Sequence, residues 1–365
     1  MTSDIAILIP AYKPEPSLVT LVRQLRRQAL CVVVVDDGSG CAYEELFRLA
    51  AEAGCAVLTH PRNSGKGRAL KTGIRYLHEK GYAGVVTADA DGQHTPSDIL
   101  RVRACLAKTP DSLILGVRSV REMPPRSRLG NSLTRFLFAT LYDLPLCDTQ
   151  TGLRGIPLGN IAPQLMALAG ERYEYETNLL IHAKTLFAQV LEVPIETIYL
   201  NHNAASHFNA VRDGLKIYRL LFSSLPTFLL SSLLAFGMDF LLFSGFYYAL
   251  HWGTVVSTVG ARCLSATANY QINRRFVFRN AGRRYTLLRY FLLAVCLLFL
   301  NSVLMLLLVD GLKLPAVWGK LIVESSLYCV SYLVQSKLAA KDSQNAACAC
   351  SDASDTCVPP KNETK

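Results

Sequence analysis

Tryptophan is scarce: Trp252 and Trp318 are the only two in 365 residues. Other absences exclude more. The eleven cysteines include no CxxC pair and no spacing suited to zinc, which disfavours a zinc module and reads as small apolar thiols of a reducing compartment. Cys348 and Cys350 form a lone CxC in a polar tail, either a metal pair or an incidental one. No GxGxxG follows the first apolar run, where Pro10-Ala11-Tyr12-Lys13-Pro14 stands instead. A nicotinamide or flavin dinucleotide site is therefore disfavoured, and the lack of any GxxxxGKS or GxxxxGKT loop argues against a P-loop kinase or ATPase. The chain opens with Asp4 and a strand-like run rather than a leader-like stretch, so the expectation is a soluble half that stays in the cytosol. Acidic residues number 28 against 38 basic ones, a net charge of +10. The excess gathers at Arg274, Arg275, Arg279, Arg283, Arg284 and Arg289, between two apolar runs. That placement suits membrane orientation better than nucleic-acid binding, so no nucleic-acid partner is expected.

What is present divides in two. Up to about Asn203, apolar runs alternate with polar and Gly-containing stretches; from Leu220 to Leu338 the runs are long and poorly charged. The reading is a soluble domain at 1–205, a juxtamembrane amphipathic helix at 206–222, a membrane domain at 223–338 and a disordered tail at 339–365. In the first part, Ile5–Ile9, Cys31–Val35, Ala56–His60 and Val85–Ala88 read as strands, with helices at Tyr43–Ala53 and Gly67–Glu79. Strands alternating with helices imply an α/β fold of the Rossmann type, a mostly parallel sheet with helices on both faces. Ligands of such sheets bind beyond the carboxyl ends of the strands, where both acidic clusters fall.

Asp89, Asp91 and Gln93 form the most informative cluster. Two carboxylates two residues apart at a strand end can converge on one hard cation, with the Gln93 carbonyl adding an oxygen; Mg²⁺ and Mn²⁺ favour such ligands and bridge to phosphates. An acidic turn is the plainer alternative. Asp36 and Asp37, before Gly38-Ser39, can bind ribose or base, or cap a turn. Asn63-Ser64-Gly65-Lys66-Gly67 offers backbone amides and a lysine to phosphates.

Together ILIPAY, VVVVDDGS, NSGKGRAL and TADADGQHTP, followed by GVRS, SRLGN and DTQTGLRG, resemble glycosyltransferase family 2 in order and spacing. The resemblance is to its polyprenyl-phosphate branch, the dolichyl-phosphate mannose synthase relatives, and it covers essentially the whole soluble domain. It implies a GT-A-like fold and an inverting transfer of one sugar from a UDP- or GDP-linked donor to a polyprenyl phosphate, for cell-envelope glycan synthesis. It also implies that Pro10, Tyr12, Asp36, Asp37, Lys66 and Asp89 bind the nucleotide-sugar, that Asp89, Asp91 and Gln93 hold Mg²⁺ or Mn²⁺, and that Arg118, Arg126 and Arg128 face phosphates. Asp91, Asp148 and Arg118 are the implied catalytic residues. Asp148 matches the position of a base or an acceptor-orienting carboxylate, and a phosphate monoester, already anionic at neutral pH, needs little deprotonation. Glu174 and Glu176 match a recurring element, with packing or helix-start roles equally open. A processive polysaccharide synthase is disfavoured, since neither tryptophan lies in a QxxRW element. A lipid-linked-sugar translocator with a donor-sensing soluble domain is the alternative of a different class.

Ser206 precedes a run in which Val211, Leu215, Ile217, Leu220 and Leu221 interleave with Arg212, Lys216 and Arg219, as in a basic helix lying on a lipid bilayer. Ser206 and Arg212 are candidates for the lipid phosphate, or for interfacial anchoring alone. Four apolar spans follow at 227–250, 253–272, 287–309 and 316–335, each near the roughly 20 residues needed to cross about 30 Å of hydrocarbon. An even count, with the arginine cluster between the second and third, predicts a multi-pass cell-membrane protein whose catalytic domain and C-terminus are cytoplasmic. NYQINRRFVF (Asn269 to Phe278) resembles the GtrA-like four-helix membrane domain, which also offers a route to a homo-oligomer.

Overall fold

In the computed structural model, the described residues are 4–119, 125–196, 212–223, 225–278 and 286–339. The described residues fall into two compact units, one of residues up to 138 with 145–220, the other of 139–144 with 221–339.

The first unit is a seven-stranded sheet clothed by helices. In chain order it runs β1 (Ile5–Ala11), α1 (Ser17–Arg27), β2 (Val32–Asp36), α2 (Glu44–Glu52), β3 (Ala56–Thr59), α3 (Lys66–Glu79), β4 (Gly84–Thr87), α4 (Pro96–Lys108), β5 (Leu113–Arg118) and α5 (Pro125–Leu141). β6 (Arg154–Pro157), α6 (Ala162–Ala167), α7 (Glu174–Ile181), α8 (Ala183–Leu186) and β7 (Val190–Ile195) complete it. The spatial order is β3-β2-β1-β4-β6-β5-β7. All pairs are parallel except those made by β6, which is antiparallel to both β4 and β5.

The central strands read as unbroken apolar runs because both faces are covered. All seven residues of β1 and all five of β2 are buried. Helix α1 covers one face with Leu18, Val19, Leu21, Val22 and Leu25, each buried leucine contributing about 1.5–3 kcal/mol against exposure. Helix α4 starts sharply because the Thr95 hydroxyl accepts the Asp98 amide at 3.2 Å, with Pro96 in the first turn.

β1 ends at Ala11, opposite Asp36 of β2, and pairs on its other side with β4. Successive connections turn to opposite sides of β1, so the ends of β1, β2 and β4 flank a crevice, the usual ligand position in open α/β sheets. Because β5 runs antiparallel to β6, as β4 does, its carboxyl end at Arg118 lies on the same edge of the sheet.

Helix α9 (Arg212–Leu221) buries Ile217 and Leu221 and leaves Leu215 exposed. The second unit consists mainly of α10 (Leu225–Ser244), α11 (Thr254–Ile272), α12 (Leu287–Met305) and α13 (Ala316–Ala339). Among the described residues, one helical stretch, Leu225–Ala249, is long and apolar enough to cross a membrane by length and composition. The unit is pinned internally by polar side chains. Ser231 donates to the Asn273 carbonyl oxygen at 2.5 Å, and Asn273 donates to Gln335 at 3.2 Å. Asp239 accepts from Ser265 at 2.9 Å and pairs with Arg262 at 3.5 Å. The tail at 340–365 lies outside the described residues.

Candidate active site

The crevice is an open cleft of about 940 Å³. Pro10, Tyr12, Asp37, Lys66, Asp89 and Asp91 all line it, joined by Tyr43, Asn63, Arg172 and Tyr173.

One wall is the turn after β1. Lys13 takes a left-handed backbone, φ 49°, and its amide donates to the Ser39 hydroxyl at 2.8 Å. A β-carbon-bearing residue held at positive φ costs energy and persists only where its surroundings impose it. Ser39 is itself fixed, since its amide donates to Asp36 at 2.9 Å. Asp36, expected to contact the donor, is buried at the end of β2 and closes this turn; it is not among the residues that line the cleft.

Asp37 holds the floor. Its Oδ1 accepts the Ser64 amide at 2.9 Å and His60 Nδ1 at 2.8 Å, and its Oδ2 accepts the Gly65 amide at 2.7 Å. A carboxylate only accepts, so His60 Nδ1 carries the proton there. The Gly-rich loop is thus shaped by a buried charge as well as by its own glycines. Gly65, at φ 104°, has no room for a side chain: a β-carbon would fall 2.3 Å from the Glu171 carbonyl oxygen. A β-carbon on Gly67 would fall 2.6 Å from the Tyr175 Cβ and 2.8 Å from the Arg172 carbonyl oxygen, and Arg68 donates its amide to the Glu171 carbonyl at 2.9 Å. The segment from Glu171 to Glu176 therefore abuts the loop across more than a hundred residues of sequence.

Lys66 projects from this loop to Asp89 Oδ1 at 2.6 Å and to Glu176 Oε2 at 3.0 Å. Burial works against its charge, yet the two carboxylates outweigh it and raise its pKa. Burial likewise opposes the charge of Asp89, but Lys66 and then His94 hold its carboxyl far below the usual range. Asp91 is shifted the other way, upward, by burial and by the charge of Asp89; the Gln93 amide, donating at 3.0 Å, opposes this. Asp89 touches the backbone of the DTQTGLRG segment: a β-carbon on Gly152 would lie 2.1 Å from its Oδ2. His94 is buried beside it, Nε2 3.5 Å from Asp89 Oδ2, and neither ring nitrogen has a well-formed hydrogen bond among the described residues.

The donor set at Asp89 and Asp91 is all oxygen and like-charged, and Asp91 is raised first by burial and then by the charge of Asp89. It suits a hard divalent ion that keeps water or phosphate oxygens in its shell. Among the described residues no three His, Cys, Asp or Glu side chains form a closed metal cage. Gln93, expected as a third ligand, is not a lining residue of the cleft; its backbone amide donates to Asp91 at 3.0 Å.

Arg118 and Asp148 form a separate pair. Asp148 is fully buried and accepts Arg118 Nε at 2.7 Å on one oxygen and Nη2 at 3.1 Å on the other. Its Oδ1 also accepts the Gln150 amide at 3.0 Å. A bidentate grip of this kind fixes the guanidinium and the carboxylate against each other. The loop bearing it is tied on both sides. Asn131 accepts the Thr149 amide at 3.1 Å, and Glu192 accepts the Cys147 amide at 2.6 Å. Burial raises the Glu192 carboxyl, partly offset by that amide.

Arg128 is exposed on α5. Arg126 and Arg212 begin their helices but their side chains lie outside the described residues, as does all of Ser206. Sequence reasoning left Glu176 open and did not single out His94, Arg154 or Glu192. Arg154 is buried, its Nη1 donating to the Glu176 carbonyl at 2.8 Å and its Nε 4.0 Å from the Glu176 carboxylate. A charged residue in an otherwise apolar strand, the LRGIP run, was the available signal.

Sheet order, crevice and acidic pair mark a GT-A-like α/β enzyme, a glycosyltransferase. A family model described as "Glycosyl transferase family 2" matches residues 6–155, and one described as "GtrA/DPMS, transmembrane domain" matches 227–340. The chain is 32% identical over 241 residues to the UDP-N-acetylglucosamine--dolichyl-phosphate N-acetylglucosaminyltransferase of Methanococcus voltae, covering 60% of this chain and 94% of that protein. It is 30% identical over 198 residues to the undecaprenyl-phosphate mannosyltransferase of Micrococcus luteus, covering 52% and 81%. With the polyprenol monophosphomannose synthase of Mycolicibacterium smegmatis it shares 28% over 210 residues, covering 53% and 77%. The chain belongs to glycosyl transferase family 2 and carries a GtrA/DPMS transmembrane domain.

Proposed function

We propose that this protein moves one sugar from a nucleotide-sugar to a polyprenyl phosphate at the cytoplasmic face of the membrane, with inversion at the anomeric carbon. The observation that carries the reading is the convergence of Asp89, Asp91 and Lys66 on one cleft at the sheet's switch point. The relatives' names supply the acceptor class: each is named for a dolichyl, undecaprenyl or polyprenol acceptor.

The nucleoside end of the donor lies along Pro10, Tyr12 and Tyr43, and its diphosphate lies toward the loop that Asp37 holds. Asp89 and Asp91 would hold a Mg²⁺ or Mn²⁺ ion, whose positive charge would be available to the departing diphosphate. A phosphate oxygen of the acceptor attacks the anomeric carbon as the bond to the diphosphate breaks, so a single in-line displacement inverts the centre. The acceptor oxygen is already anionic, and Asp148 serves by fixing Arg118 toward phosphate charge rather than by taking a proton. The helices of the second unit cross the bilayer four times, with the arginine-rich stretch around 274–289 on the side of the catalytic unit.

Purified protein, incubated with a panel of labelled nucleotide-sugars and undecaprenyl phosphate, is expected to yield one lipid-linked sugar and an equal amount of nucleoside diphosphate. Donors left intact across the whole panel would refute an enzyme and leave a carrier.

A further inference from the structure

Lys66 already sits on one of the two carboxylate oxygens of Asp89. Its ammonium sits 2.6 Å from Asp89 Oδ1 and 3.0 Å from Glu176 Oε2. Two cations cannot share one carboxylate oxygen at such a distance without strong repulsion. Asp91, two residues on, makes no ion pair among the described residues; its Oδ1 accepts the Gln93 amide at 3.0 Å. Half of the acidic pair is therefore covered by an internal cation.

We propose that Lys66 is a tethered cation that guards Asp89, so that a divalent ion binds well only when donor phosphates draw the lysine away. This rests on the assignment of Asp89 and Asp91 as the ion's ligands. Three features suit Lys66 to such a move. Its charge is a compact point on a flexible four-carbon stem, able to exchange one oxygen partner for another. It leads α3 from the Gly-rich loop whose amides Asp37 holds, so phosphates lying on that loop are within the stem's sweep. Glu176 provides a second anchor, its backbone carbonyl accepting buried Arg154 at 2.8 Å and its carboxylate 4.0 Å from the Arg154 Nε. On leaving Asp89 the ammonium keeps Glu176 and gains phosphate oxygens, and no buried charge is stranded. Donor and ion then bind with positive coupling, each favouring the arrangement the other requires. The apo cleft would also be protected from gathering divalent ions unproductively.

The test measures Mn²⁺ binding by the electron paramagnetic resonance of the free aquo ion, on the full-length protein in detergent, with and without saturating UDP or GDP. For wild type, Mn²⁺ affinity is expected to rise at least tenfold with the effective nucleotide. Lys66→Met is expected to bind Mn²⁺ without nucleotide at least tenfold more tightly than wild type, with most of the nucleotide effect gone. Lys66→Gln takes its place if the methionine variant does not fold, as judged by thermal unfolding. Nucleotide-free affinity equal to or weaker than wild type in the folded variant would overturn the guard. Asp91→Asn separates the two ideas: if its Mn²⁺ binding with nucleotide equals that of wild type, the ion is not held here, and the ligand assignment itself fails. A merely structural lysine would lower both affinities together, and that outcome also counts against the proposal.

Discussion

Gly152 stands so close to Asp89 that a β-carbon on it would lie 2.1 Å from the carboxylate Oδ2. The two residues are 63 positions apart, yet the turn before β6 sets the carboxylate's position through bare backbone. Gly152→Ala must push Asp89 aside or move the turn. Displacement of about 1 Å at a reacting centre costs roughly 100-fold in rate. The variant is expected to fold, to reach the membrane and to lose about that factor in kcat, measured with labelled donor.

Asp91→Ala removes a carboxylate that the fold does not use as a structural anchor. Transfer should fall to background while membrane insertion, followed by alkaline extraction of membranes, stays unchanged. Wild-type turnover in a metal-supplemented assay would sink the metal assignment.

Asp148→Asn separates anchoring from base catalysis. With Arg118 no longer gripped by two charged oxygens, kcat is expected to drop by ~100-fold. The acidic limb of the kcat–pH profile should not move when the carboxylate acts only by holding Arg118. Arg118→Ala should cost a similar factor, and the double variant little more than either alone, as for residues that act as a unit. A limb that disappears in Asp148→Asn would restore the base.

Asp37→Ala leaves the amides of Ser64 and Gly65 and the His60 ring without their acceptor. Three bonds to one buried charge suggest a loss of roughly 2–4 kcal/mol, since such contributions are not additive. Thermal unfolding of the solubilised protein should register it. An unchanged midpoint would show that the loop does not depend on this carboxylate.

Arg212→Ala tests the acceptor side. Its KM for polyprenyl phosphate should rise several-fold with the donor KM unchanged. Equal effects on both would remove Arg212 from acceptor binding.

Much of this protein was legible in one dimension. Strands buried on both faces must be apolar throughout, so IAILIPA and VVVVD announce themselves, and the acidic residues that end β2 and β4 fall at the edge where such sheets bind ligands. The turn glycines and the DxD spacing are local, and local chemistry is written in local sequence. Partnership is not. Asp36 and Asp37 are adjacent and alike, yet one closes a turn while the other shapes a loop 27 residues away. Asp148 and Arg118 join across 30 positions, and Lys66 meets Glu176 across 110. Which carboxylate is exposed to a ligand, which is spent on an arginine and which is covered by a lysine depends on distances that only the folded chain sets. Electrostatic energy follows separation in space and burial, and neither is carried by the order of residues along the chain.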